Sequence, residues 1–276
     1  MSLDIGTALR RGFDDLTSET GLLVGAVVLL YNLGALVANE SLGAALLELV
    51  FERGGYTEQQ RAAVESFGGG TPFALDVGLP VIVAMVVVVA LVGELVRFWG
   101  IRLFAGPAET ATDDPTARAP MAVLLGGAVA VSLLAFQQVL PVAGQLGGPA
   151  TTIVGSIVGP IGGLILLTVF VYLRQEIALA DGGYGATVQN SLARFMDDPV
   201  SITVLLVILG IVGFVAGAPT FVLTFLGGSV SVAGVSGTVF ARLLSTVFGA
   251  LVQTLGIAVV TDAYVQVRAS ARESAV

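Results

Sequence analysis

The sequence predicts an all-α integral membrane protein with six transmembrane helices and interfacial amphipathic helices. Three observations carry this. Of 276 residues, 55% are hydrophobic and only 12% charged, against about 25% in a soluble domain. Mean hydropathy is +0.95. Six apolar stretches approach the roughly 20 residues a bilayer-crossing helix requires.

The expected spans are residues 21–38, 77–98, 121–143, 152–173, 202–225 and 239–263. None alternates with period two, which argues against a membrane β-barrel. The first is expected to stay in the mature protein, because Leu36 and Ala38 do not form a small-x-small cleavage site. Pro120 and Pro199 fall at the first turns of spans three and five, where a missing N–H costs nothing, and Asp198 is placed to cap span five. Trp99 and Tyr172 mark the inner ends of their spans.

Orientation follows from arginine. Arg10, Arg11, Arg97, Arg102, Arg118, Arg174, Arg194, Arg268 and Arg272 fall on one side, and Arg53, Arg61 and Arg242 on the other. The positive-inside rule then puts both termini in the cytoplasm of a multi-pass cell-membrane protein, and the even span count, which keeps both termini on one side, fits that result.

Outside the spans, residues 1–20 hold an interfacial helix with Ile5, Leu9, Phe13 and Leu16 on one face and Asp4, Arg10, Arg11, Asp14 and Asp15 on the other. Residues 185–197 form a second, an elbow helix with Val188, Leu192, Phe195 and Met196 opposite Asn190, Arg194 and Asp197. The two places align as a degenerate repeat, Gly6-Thr7-Ala8-Leu9 on Gly185-Ala186-Thr187-Val188, each leading through an elbow (Asp14-Asp15, Asp197-Asp198) into a span. Residues 39–76 are expected to form an outer helical cap, with short helices over 41–52 and from Thr57 to Phe67 before the break at Gly68-Gly69-Gly70-Thr71-Pro72. The chain reads as a single membrane domain.

The chemistry is bounded by what is missing. There is no Cys and no His, so thiolate catalysis, disulfides, Cys/His metal sites and a histidine base are excluded. No Walker loop or dinucleotide fingerprint occurs, and neither a cofactor nor a metal site is expected. All 12 basic residues are arginine against 20 acids, the acidic pattern of a salt-loving organism. A pI near 4.4 argues against nucleic-acid binding. The expected partners are the lipid bilayer and other membrane proteins or a second copy of the chain.

Candidate helix-packing or transport positions are few. Gly155, Gly159 and Gly163 in span four make a small-residue groove, and Pro160 within it can kink or unwind the helix. Unwound backbone at mid-membrane can expose carbonyls to a cation, as in transporters. Gly213, Gly217 and Pro219 in span five repeat the pattern. Glu94 and Arg97, three apart, are expected to pair on one helix face near the inner interface. Asp262 should meet interfacial water or a neighbouring arginine, and Arg242 should snorkel outward. Asn32, Gln137, Gln138 and Gln253 could line a polar path or hydrogen-bond between helices.

Two stretches carry a resemblance. One is Ala8-Leu9-Arg10-Arg11-Gly12-Phe13 with Leu16-Thr17-Ser18; the other is Phe170-Val171-Tyr172-Leu173-Arg174-Gln175-Glu176-Ile177-Ala178 with Gly183-Tyr184 and residues 186–191. They resemble a family of uncharacterised haloarchaeal polytopic membrane proteins, itself similar to the membrane domain of some glycerophosphodiester phosphodiesterases. The chain departs from that pattern in carrying Arg174-Gln175 where a proline often precedes the glutamate, and in ending its elbow Phe195-Met196-Asp197-Asp198-Pro199. With no phosphodiesterase domain expected, the resemblance implies a fold and a membrane address rather than an activity. The expected role is a non-catalytic scaffold, accessory subunit or membrane organiser. The alternatives are a small transporter or channel using spans four and five, and, last, an enzyme acting on lipid through Glu94, Glu176 or Asp262.

Overall fold

A computed structural model describes residues 3–53, 57–59, 71–110, 116–140, 149–226, 231–232 and 235–274. The helices are α1 (Ile5–Thr17), α2 (Glu19–Arg53), α3 (Leu79–Ala105), α4 (from Ala119 to Val139), α5 (Pro149–Val169), α6 (Leu173–Leu179), α7 (Tyr184–Asp197), α8 (Pro199–Leu226) and α9 (Gly237–Ser274). A two-residue antiparallel ladder, Ser231–Val232 on Val235–Ser236, precedes α9. Six helical stretches are long and apolar enough to cross a membrane, the fourth running Gly155–Leu179 through the turn between α5 and α6. The protein is an all-α, multi-pass membrane protein.

The core lies where α2, α3, α6 and α9 meet, around Val28, Phe98, Ile101, Tyr172, Ile177 and Tyr264. The outer faces of the spans stay apolar and exposed, as at Leu30, Val81, Leu164 and Phe214. That is the inside-out economy of a chain whose solvent is lipid.

Each interfacial helix turns into its span through a single residue. Ser18 separates α1 from α2, and Asp198 separates α7 from α8. Both are N-caps of the same register: the Gly21 amide donates to Ser18 Oγ at 3.0 Å, and the Ser201 amide to Asp198 Oδ1 at 3.1 Å. The elbows therefore correspond at Ser18 and Asp198, with Ser18 three residues beyond Asp15, the residue paired with Asp198 in the sequence alignment. Helix α1 does more than lie on an interface. Leu3 and Ala8 are buried with Val259 and Ala263 of α9, and a Cβ on Gly12 would stand 2.2 Å from Val259 Cγ2. On α7, Val188 and Phe195 pack on the core, whereas Leu192 and Met196 are exposed.

Three sequence expectations change. Helix α2 does not stop at Ala38 but continues to Arg53. Residues 41–53 are rich in Ala, Leu and Glu, strong helix formers that outweigh the single Gly43 before Gly54-Gly55. Within it Glu40 and Ser41 are buried and fasten the returning chain, accepting from the Phe73 amide at 2.9 Å and the Leu75 amide at 2.9 Å. Arg242 meets Glu40 at 3.2 Å instead of reaching freely outward. Finally, α5 and α8 are helical through Pro160 and Pro219, and the interruption of span four comes at residues 170–172, between α5 and α6. The expected helix from Thr57 lies mostly outside the described residues, as do Arg61, Glu65, Asp113, Asp114 and the loops near 145 and 227.

Candidate functional site

The site is organised by α6, seven residues long and almost wholly buried. A helix this short exposes its last carbonyls as unsatisfied acceptors at the negative end of its dipole. Arginines from three other segments meet them. Arg102 donates to Ala178 O at 3.0 Å and Arg268 to Leu179 O at 3.1 Å. Arg118, itself buried, donates to Ile177 O at 3.1 Å and also to the carbonyls of Ala180 and Gly182. The arginines that set the orientation bias thus also hold α6 in place.

Arg174 and Glu176 stand two apart on α6, about 200° around the helix, so they serve different neighbourhoods. On one side, Arg174 forks onto Glu94, Nε to Oε2 at 2.7 Å and Nη2 to Oε1 at 2.8 Å. Arg97 Nη1 donates to Glu94 Oε1 at 2.6 Å. The expected Glu94–Arg97 pair is therefore one arm of a tripod. Glu94 lies five residues from Trp99, about 7.5 Å farther along the helix, and is 2% exposed. Its carboxylate lies against the backbone of α4, since a Cβ on Gly126 would stand 2.5 Å from Glu94 Oε2. Gly126 ends a π-helical stretch, Ala122–Gly126, and a second one, Ala135–Val139, follows in the same helix. Such widened turns re-aim side chains inside a membrane helix.

On the other side, Glu176 Oε2 accepts from Arg194 Nε at 3.0 Å and from the Tyr264 hydroxyl. Arg194 also lies over the Tyr264 ring, 5.1 Å from its centroid, and Tyr172 meets that ring edge-on at 5.6 Å. The Tyr172 hydroxyl, Glu176 Oε1, Ser191 Oγ and Thr261 Oγ1 are buried without a partner among the described residues, places that internal water would serve.

A cavity of about 190 Å³ opens above the first cluster. Arg97 and Arg174 form one end, and Asn39 and Gln137 lie along it with Tyr31. The walls are Ala35, Val86, Val89, Ala90, Ala130, Leu133 and Leu134. Gly93 makes room for Tyr31, whose hydroxyl would be 2.4 Å from a Cβ there. A separate apolar groove of about 350 Å³ lies between α2 and α3, with Trp99 among its lining residues.

The glycine positions fall elsewhere. Gly155, Gly159 and Gly163 are buried on one face of α5 while Pro160 is exposed. A Cβ on Gly162 would lie 2.7 Å from Phe136, and Gly163 is in ordinary contact range of Gln137, so this face packs against the second π stretch of α4. On α8, Gly213 meets Val252, nothing lies within 4 Å of a Cβ at Gly217, and Pro219 is exposed. Of the polar residues expected along a path, Gln137 lines the cavity, Asn32 faces Gly249, and the Gln138 side chain lies outside the described residues. Asp262 pairs with Arg11 at 3.1 Å. Sequence reasoning did not single out Tyr31 and Asn39, and it named Arg174 only for orientation and as a departure from the resembled family, not as a site residue. The one available signal was an arginine at the inner end of a span. Among the described residues, no group of three His, Cys, Asp or Glu side chains could hold a metal.

No family model, no curated protein and no solved structure matches this chain.

Proposed function

We propose that the chain is a non-catalytic cell-membrane protein of a salt-loving archaeon, with both termini cytoplasmic, that binds a small solute within the bilayer. The resemblance to the haloarchaeal membrane family belongs to the same proposal. One observation carries it: the half-open cavity between α2, α3 and α4 that ends on Arg97 and Arg174. Membrane proteins keep ionisable groups beside cavities where a solute or water must pass. This favours the transporter or channel reading and moves it from spans four and five to α2, α3 and α4. Solute flux in liposomes tests it. Flux should fall when Ala130→Leu narrows the cavity and persist in Pro160→Ala, whose side chain is exposed on α5. Flux lost in the second variant and kept in the first would refute this location.

The accessory or scaffold reading has its own support. Helix α8 leaves a bare face among the described residues, with Phe214 80% exposed and nothing within 4 Å of a Cβ at Gly210. Native mass spectrometry after gentle extraction in high salt tests it: a reproducible protein partner favours this reading, and its absence with a bound small solute favours the first.

A further inference from the structure

The Glu94 cluster is not neutral. Two guanidiniums meet one carboxylate, leaving one positive charge in excess, and no acidic side chain among the described residues lines the cavity. Both oxygens of Glu94 are already engaged. A guanidinium carries five N–H donors; Glu94 takes one from Arg97 and two from Arg174. An uncompensated charge inside a bilayer is costly, and a counter-charge in the cavity relieves it.

Shape narrows the ligand. The space of about 190 Å³ is far more than the roughly 10–15 Å³ one water needs, and below the roughly 300–1,000 Å³ of pockets for drug-sized molecules. Its walls are small and apolar, while its polar groups lie at the arginine end and beside Tyr31, Asn39 and Gln137. A bare halide would satisfy the charge and leave those walls against water. A carboxylate matches the guanidinium fork, as Glu94 itself does, and a short apolar body would cover the walls.

We propose that the cavity between α2, α3 and α4 binds a small monocarboxylate, its carboxylate on Arg97 and Arg174 and its apolar body along Ala90 and Ala130. The proposal rests on the solute-binding reading and names its ligand class.

The test is calorimetric titration of butyrate into the purified full chain in neutral-lipid nanodiscs, beside chloride at equal concentration. Saturable butyrate binding is expected, with chloride weaker. Arg97→Gln removes the excess charge and leaves the Glu94–Arg174 fork intact; affinity should fall roughly tenfold or more with little change in melting temperature. Ala35→Leu, which fills the cavity with every charge in place, should weaken binding as well and covers the case in which the arginine variant misfolds. No butyrate binding, binding unchanged in both variants, or chloride binding as tightly as butyrate would overturn the assignment. Liposome flux separates the two claims: flux without butyrate binding keeps the transport reading and removes this ligand, whereas butyrate binding without flux does the reverse.

Discussion

Glu94 and Glu176 are alike in burial, 2% and 1% exposed, and each is held by arginine. What surrounds them differs. At Glu94 donors are in excess: two guanidiniums share one carboxylate and border an open cavity. At Glu176 acceptors are in excess: one guanidinium and one hydroxyl meet Oε2, Oε1 has no partner among the described residues, and neither Glu176 nor Arg194 lines that cavity. A buried ion pair is weak grounds for function by itself. The comparison shows what adds weight: charge left over, together with space to answer it. By that measure the Glu94 cluster carries the proposed site, and the Glu176 cluster fixes α6, α7 and α9 together.

The largest effects should come from removing each carboxylate. Glu176→Ala leaves Arg194 and the Tyr264 hydroxyl without their acceptor, and a loss of about 3–5 kcal/mol is expected in thermal or denaturant unfolding of the detergent-solubilised protein. Glu94→Ala should also destabilise, but added butyrate should recover part of its melting temperature, since an anion in the cavity can stand in for the lost carboxylate. No recovery in Glu94→Ala, or equal recovery in Glu176→Ala, would erase the distinction between the clusters.

Next comes the arginine that holds the end of α6 and so positions Glu176 and the Arg174 that meets Glu94. Arg118→Met removes its bonds to the carbonyls of residues 177, 180 and 182. Hydrogen bonds to a charged group contribute about 1.5–3 kcal/mol each, not additively. Hydrogen exchange should accelerate through α6 while the amides of α2 stay protected. Uniform acceleration over the whole chain would mean that α6 has no separate stability.

A smaller effect belongs to the contact between Glu94 and α4. Gly126→Ala would set a Cβ 2.5 Å from Glu94 Oε2, forcing the carboxylate or the helix to move. Overpacking of this kind costs about 1–3 kcal/mol. Butyrate affinity should change with it, because the fork on Arg174 must shift. A change in stability alone would place Gly126 in packing only.

The sequence made local features legible and left the long-range ones hidden. Hydropathy located the spans, and short-range rules located the Asp198 cap and the Glu94–Arg97 contact, each settled within three residues along one helix. Arg174 reaches Glu94 across 80 positions, and Arg118 reaches carbonyls about 60 residues away; no periodicity encodes such pairs. Carbonyl acceptors leave no mark in the sequence because every residue has one. The length of α2 was missed for another reason. Hydropathy reports where lipid ends, whereas helix propensity reports where the helix ends, and between Ala38 and Arg53 the two part company. Proline was legible only in part: of the kink or unwinding expected at Pro160, unwinding does not occur, because Pro160 and Pro219 sit inside continuous helices, which tolerate proline where neighbours answer the freed carbonyl.

The smallest predicted effect concerns the elbows, where two aspartates respond to pH in opposite senses. Burial raises the Asp198 carboxyl, but hydrogen bonds from Ser201 and from the Leu3 amide outweigh it and leave Asp198 below the usual carboxylate range. Its stabilisation is complete above the unfolded-state value and is lost as pH falls through the folded one. Asp15 is displaced upward, by burial first and then by the charges of Asp262 and Asp14. Its contribution is complete below the unfolded value and is lost as pH rises through the folded one. Asp198→Asn should therefore flatten the decline in melting temperature on acidification, and Asp15→Asn should raise the melting temperature slightly at neutral pH. Both groups keep partial access to water, so each shift should be small. Equal and same-signed changes in the two variants would show that the elbows, despite their matched N-caps, do not differ in electrostatics.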